Sequence, residues 1–122
     1  MIFQTICGKV KSVFSDELGI DLGTMNTLVC QADKGVIIDE PSVVACYTET
    51  GKIRAVGMEA KMMLGKTSGV LKVYRPVKNG VIADSTVTDK MLGYFIKRAR
   101  GYFKIMQPRV LVAVPYGITT VE

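Results

Sequence analysis

The stretch that most constrains this chain is residues 18–27, Leu-Gly-Ile-Asp-Leu-Gly-Thr-Met-Asn-Thr. Leu18, Ile20 and Leu22 alternate with smaller or polar residues at strand period. The run ends in an acid and a glycine-hydroxyl turn, and a second strand follows at once. An acid at the end of an apolar strand is costly unless it is solvated or near a cation, so Asp21 needs one or the other. Gly23 lets the backbone come close to another group, while Thr24, Asn26 and Thr27 set hydroxyls and an amide around that spot. A turn of this chemistry can aim several backbone N–H groups at phosphate oxygens while Asp21 holds a hydrated Mg²⁺. It is not a Walker A loop, because no Gly-Lys-Ser/Thr follows. The same ten residues also suit a tight β-hairpin whose Gly, Asn and Thr serve turn geometry alone. Taken by themselves they do not choose.

The remaining composition narrows the setting. A hydrophobic content of 48% excludes a disordered chain, and 122 residues are enough for one modest domain with a real core. The net charge of +5 favours an anionic partner: a nucleotide, a lipid headgroup or a nucleic acid. Three cysteines (Cys7, Cys30, Cys46), an odd number without metal-ligand spacing, suit a reducing compartment. The absence of histidine removes His-based acid–base catalysis and most zinc chemistry. No apolar run is long enough to cross a bilayer, and Lys9 and Lys11 interrupt any signal-peptide core. The expected location is cytoplasmic.

Residues 1–15 read as a separate module. On a helical wheel Ile2, Phe3, Ile6, Cys7, Val10, Val13 and Phe14 fall within one arc of about 140°. The polar residues, Lys9 and Lys11 among them, take the rest. Two aromatics on the apolar face and lysines opposite fit an interfacial membrane helix. One copy of so short a helix binds weakly, and several copies on an assembly bind well. A helix docked on its own domain or on a partner chain has the same amphipathicity.

Beyond the turn, strands are expected at 27–32, 36–39, 42–47, 53–56 and 70–74, separated by turn signals. Residues 58–64 form a short helix with Gly65 as its C-cap, and Met58, Met62 and Met63 fill core space there. Asn79-Gly80 marks a tight turn before Val81-Ile82-Ala83. The main helix runs over 86–104, burying Met91, Leu92, Phe95, Ile96, Ala99, Tyr102 and Phe103 and weakened by Gly93 and Gly101. Its basic cluster, Lys97, Arg98, Arg100 and Lys104, complements the helix dipole, so no nucleic-acid partner is assigned. A last strand at 109–114 reads as buried on both faces and parallel to a neighbour. Residues 118–122 then read as the first turn of a further helix, so the chain is expected to be the front part of a larger protein.

With these segments in place, the sequence resembles the N-terminal part of the MreB family of bacterial actin homologues. The resemblance runs from about residue 18 to 122, with an amphipathic leader of the same kind ahead of it. It is carried by 20–28 (Ile-Asp-Leu-Gly-Thr-Met-Asn-Thr-Leu), 40–45 (Glu-Pro-Ser-Val-Val-Ala) and 55–61 (Ala-Val-Gly-Met-Glu-Ala-Lys). It continues through 75–84 (Arg-Pro-Val-Lys-Asn-Gly-Val-Ile-Ala-Asp), 94–96 (Tyr-Phe-Ile), 108–110 (Pro-Arg-Val) and 114–122 (Val-Pro-Tyr-Gly-Ile-Thr-Thr-Val-Glu). The first motif is shared with Hsp70 chaperones and sugar kinases, whereas the later ones in this order are specific to MreB.

The resemblance implies an α/β, actin-like ATPase (ribonuclease H-like) fold in partial form, with ATP and Mg²⁺ in a cleft between lobes. Residues 18–32 would be the phosphate-1 hairpin of subdomain IA, 33–104 mostly the small subdomain IB, and 108–122 a return to IA. Mapped by motif, Thr24, Met25 and Asn26 line the nucleotide phosphates and Asp21 reaches the metal through water. The family forms membrane-associated filaments that control cell shape, held to the inner face of the membrane by a helix such as 1–15. The implied partners are further copies of itself, the inner membrane and the cell-wall elongation machinery. Met25 stands where the family commonly has alanine, Ser85 where it has an aromatic and Tyr116 where it has a serine. The second phosphate loop, the adenosine site and the catalytic glutamate of the family's Ile-Asp-Glu-Pro segment are expected beyond Glu122. No catalytic residue is therefore assigned, and Glu122 reads as a helix-opening acid. The alternative is a truncated module that binds membrane or a partner but no nucleotide.

Overall fold

Strict alternation in the first strand builds the larger sheet. In a computed structural model, which describes residues 17–32, 34–101 and 108–114, Leu18, Ile20 and Leu22 of β1 (Glu17–Leu22) are buried on one face. β2 (Asn26–Gln31) returns antiparallel, with Ile20 opposite Val29 and Leu22 opposite Thr27. β3 (Gly35–Pro41) pairs antiparallel with β2 through a bulge at Val29/Cys30. The expected leader helix, the 102–104 end of the main helix and the 118–122 turn lie outside the described residues.

Ser42 and Val43 lead from this sheet into β4 (Val44–Tyr47), the centre of a second, antiparallel sheet. β5 (Ile53–Val56) lies on one side of it, and β6 (Leu71–Tyr74) on the other. Between β5 and β6 comes α1 (Met58–Met62), shorter than expected. Only Ala60 in it is buried, joined by the partly buried Met63 just beyond. Met58 and Met62, one turn apart on the outer side of α1, are exposed rather than packed in the core. The Asn79-Gly80 turn joins the short hairpin strands β7 (Val77–Lys78) and β8 (Val81–Ile82). Both turn residues have positive φ, 51° and 73°, as a two-residue hairpin turn requires.

The main helix, α2 (Ser85–Arg100), is capped at its start by Asp84, whose side chain accepts from the Val87 amide at 3.0 Å. It ends at Gly101, whose φ of 67° takes the chain out of helical geometry. Val87, Met91 and Phe95, at helical spacing, are buried in one cluster with Ile20, Leu22 and Val29 of the larger sheet and Val44 and Val56 of the smaller one. That shared core holds the two sheets and α2 together. Truncating Phe95, fully buried, to alanine falls in the class of change that costs about 3–5 kcal/mol.

The last strand, β9 (Arg109–Ala113), lies parallel to β1, as expected, completing the sheet order β3-β2-β1-β9. It is not buried on both faces. Arg109, Val110 and Leu111 are exposed, and among the described residues only β1 pairs with β9. An apolar run alone cannot distinguish a central strand from an edge one.

Candidate functional site

The turn between β1 and β2 is held from several sides by groups distant in sequence. Gly23 donates its amide to the Asn26 carbonyl at 3.1 Å, which closes the turn. A Cβ at Gly23 would lie 2.5 Å from that carbonyl oxygen, so only glycine fits the bend without a shift. The Ser42 hydroxyl donates to the Gly23 carbonyl at 2.7 Å, and the Ser42 amide donates to the Met25 carbonyl at 2.9 Å. Arg75 reaches the same turn with its Nη1, donating to the carbonyls of Met25 at 3.0 Å and Thr24 at 3.4 Å.

The carbonyls of Gly23, Thr24 and Met25 are thus all occupied. A trans peptide sets its N–H opposite its C=O, and no cis bond occurs among the described residues. The N–H groups of Thr24, Met25 and Asn26 therefore point away from Ser42 and Arg75, the donors that hold the carbonyls. Among the described residues, the Thr24 and Met25 amides have no hydrogen-bond partner. Successive amides left pointing outward from a bend are the arrangement that binds anions.

The side chains divide differently. Met25 is 63% exposed, so it reaches the site through its backbone. Thr24 accepts from the Gly80 amide at 2.9 Å through its hydroxyl, which keeps its proton free to donate outward. Asn26 donates through Nδ2 to Asp39 at 2.9 Å. Thr27, read from the sequence as part of the polar ring, is instead fully buried, its hydroxyl 2.8 Å from that of Ser42. Alternation accounts for this, since Thr27 lies opposite Leu22 on the core-facing side of β2.

Asp21 is half-buried between Ile20 and Leu22, both of which face the core, so its carboxylate lies on the opposite face of the sheet. Leu28 of β2 is its neighbour there, with Asp39 of β3 opposite Leu28 in turn. No group of three metal-ligating side chains forms among the described residues. A Mg²⁺ ion, which keeps several waters and takes one or two carboxylates plus phosphate oxygens, needs no such group. A carboxylate, backbone amides and a hydroxyl are donor types that suit a hydrated divalent ion carried by a phosphate ligand.

Ser42 and Arg75 had no assigned site role from their local sequence, and Gly80 was read only as half of a tight turn. All three belong to the 40–45 and 75–84 stretches that carry the resemblance. Elsewhere, burial, the neighbouring Cys46 thiol and the Asp84 carboxylate push the Tyr74 phenol above its ordinary range. Tyr74 donates to Asp84 at 3.3 Å, so it ties β6 to the cap of α2 rather than to the turn.

The profile of the MreB/Mbl protein family matches residues 15–122. The chain is 51% identical over 119 residues to the cell shape-determining protein MreB of Haemophilus influenzae, covering 93% of this chain and 34% of that one. It thus spans about a third of the length of the curated relatives it matches. Its structure is similar to MreB5 of Spiroplasma citri bound to AMPPNP, with TM-score 0.70 and 34% identity over 87% of this chain and 32% of that one. The ADP-bound form of the same protein gives TM-score 0.71 at 34% identity, covering 87% and 31%.

Proposed function

The chain belongs to the MreB/Mbl family, and from that premise we propose that it supplies the first phosphate turn of an ATP-binding, actin-like protein that controls cell shape. Its fold is the actin-like α/β fold, present here in part. The amides of Thr24, Met25 and Asn26 seat the nucleotide's phosphate tail, and the Thr24 hydroxyl adds a fourth donor. Asp21 is the residue that would hold a hydrated Mg²⁺, which would supply charge neutralisation at the phosphoryl oxygens. Preorganised donors of this kind cost no reorganisation when the anion arrives. The single observation that carries the reading is the capture of three successive carbonyls by Ser42 and Arg75, which turns the amides outward. The nucleotide-bound state of the Spiroplasma relative supports it.

In this reading the protein assembles with further copies of itself into filaments on the inner face of the membrane. Residues 1–15 provide the membrane contact, and cell-wall elongation proteins are the partners. Residues 18–32 and 108–122 form part of subdomain IA, and 33–104 contribute mostly to IB. No residue of this chain is assigned a catalytic role.

The test is an NMR titration of the chain with MgATP. The expected result is saturable shifts at the amides of Thr24, Met25 and Asn26, with the dependence on Mg²⁺ lost in Asp21→Ala. Binding that leaves these three amides unmoved would overturn the reading.

A further inference from the structure

We propose that Arg75 is a positioning residue for the phosphate turn, raising affinity for the phosphate tail without touching it. The inference rests on the reading of the turn as a phosphate seat. Arg75 precedes β7, some fifty residues along the chain from the turn, yet its Nη1 donates to two consecutive turn carbonyls, Met25 at 3.0 Å and Thr24 at 3.4 Å. Those carbonyls belong to the peptide units that carry the N–H groups of Met25 and Asn26. Holding the oxygens on the guanidinium side holds both N–H groups on the other side.

Without the cation, the Thr24 carbonyl loses its donor and its peptide can rotate to present a lone pair to the approaching anion, while the Met25 carbonyl is left with the Ser42 amide alone. Such a turn repels phosphate until it is reordered. The segment that carries Arg75 is itself anchored. Pro76 and Val77 are fully buried, the Pro76 carbonyl accepts from the Ala83 and Asp84 amides, and Gly80 donates to the Thr24 hydroxyl. Arg75 is therefore delivered by a rigid piece of chain, so the position of its charge is set before any ligand binds. The guanidinium also adds a positive field beside the seat, which no ammonium of a mobile surface lysine reproduces with the same geometry.

The experiment compares MgATP affinity of the unsubstituted protein, Arg75→Ala, Arg75→Gln and Arg75→Lys by calorimetry, with amide exchange at Met25 and Asn26 followed by NMR. Arg75→Ala is expected to bind MgATP about tenfold more weakly, the loss of a charge-assisted hydrogen bond. The Met25 and Asn26 amides are expected to shift in the ligand-free state, and Arg75→Lys to recover only part of the affinity, because its charge is kept but the guanidinium geometry is lost. Should Arg75→Ala fail to fold, Arg75→Gln, too short to reach both carbonyls, is expected to show the same loss. Affinity within twofold of the unsubstituted protein in a folded Ala or Gln variant would overturn the inference alone. Absence of MgATP binding by the unsubstituted protein would overturn the phosphate reading and this inference together.

Discussion

Ser42 donates its hydroxyl to the carbonyl of Gly23 across 19 residues of chain, at 2.7 Å, while remaining fully buried. The contact joins the start of the second sheet to the bend of the first, and the same oxygen lies 2.8 Å from the Thr27 hydroxyl. Ser42→Ala therefore strips one carbonyl of the turn and leaves a buried hydroxyl with one partner fewer. The expected loss is about 1–3 kcal/mol in denaturant unfolding, together with weaker MgATP binding.

Met25 separates backbone from side-chain effects. Because its side chain is exposed and the contribution proposed for it is an N–H, Met25→Ala is expected to leave MgATP affinity within twofold. Met25→Pro removes the donor and is expected to weaken binding tenfold or more, on the order of a charge-assisted hydrogen bond. Equal affinities for the two variants, measured by calorimetry, would count against the amide seat.

Gly57 and Glu40 are coupled by space. Gly57 has φ of 75°, and an added Cβ would collide with the Glu40 carboxylate. That carboxylate pairs with Arg98 of α2 and accepts from the Met58 amide at 3.3 Å. Gly57→Ala is expected to destabilise by about 1–3 kcal/mol from the left-handed backbone alone, with the collision added. A double-mutant cycle with Glu40→Ala is expected to show a coupling of about 0.5–3 kcal/mol, since removing the carboxylate relieves the collision. Strictly additive losses would mean that the two do not meet.

Tyr74 gives the fold an alkaline limit. Its raised phenol pKa means that the folded state holds the proton more tightly than the unfolded chain, where tyrosine titrates near 10. This contribution is fully present below about pH 10 and is lost as pH rises through the higher folded value. Stability measured by urea unfolding is expected to fall more steeply above pH 10 in the unsubstituted protein than in Tyr74→Phe.

The leader is tested on lipid. Phe14→Asp places a charge in the apolar arc of residues 1–15 and is expected to release the protein from anionic liposomes in a sedimentation assay. Unchanged sedimentation would favour docking on protein instead.

Local pattern carried much of the fold. The expected strand at 53–56 matches β5 to the residue, and alternation in β1 identified its buried side and the turn that follows. The main helix began within one residue of expectation, and the structure shows Asp84 capping it, a role that the sequence analysis did not assign. The exposed β9, the outward Met58 and Met62 and the buried Thr27 were misread for a common reason. Each depends on which neighbour covers a face, and hydrophobicity along the chain does not record neighbours.

What the amino-acid order determined by itself is the material of the turn: an acid near the end of an apolar strand, a glycine at the bend, and three following residues whose amides can turn outward. What only the tertiary structure decided is that they do turn outward. The groups that hold the carbonyls, Ser42 and Arg75, and the amide of Gly80 that fixes Thr24, arrive from 19, 50 and 56 residues away. Hydrogen bonds over such separations leave no periodicity. They exist only once the shared core of Ile20, Val44 and Phe95 has brought both sheets and α2 together.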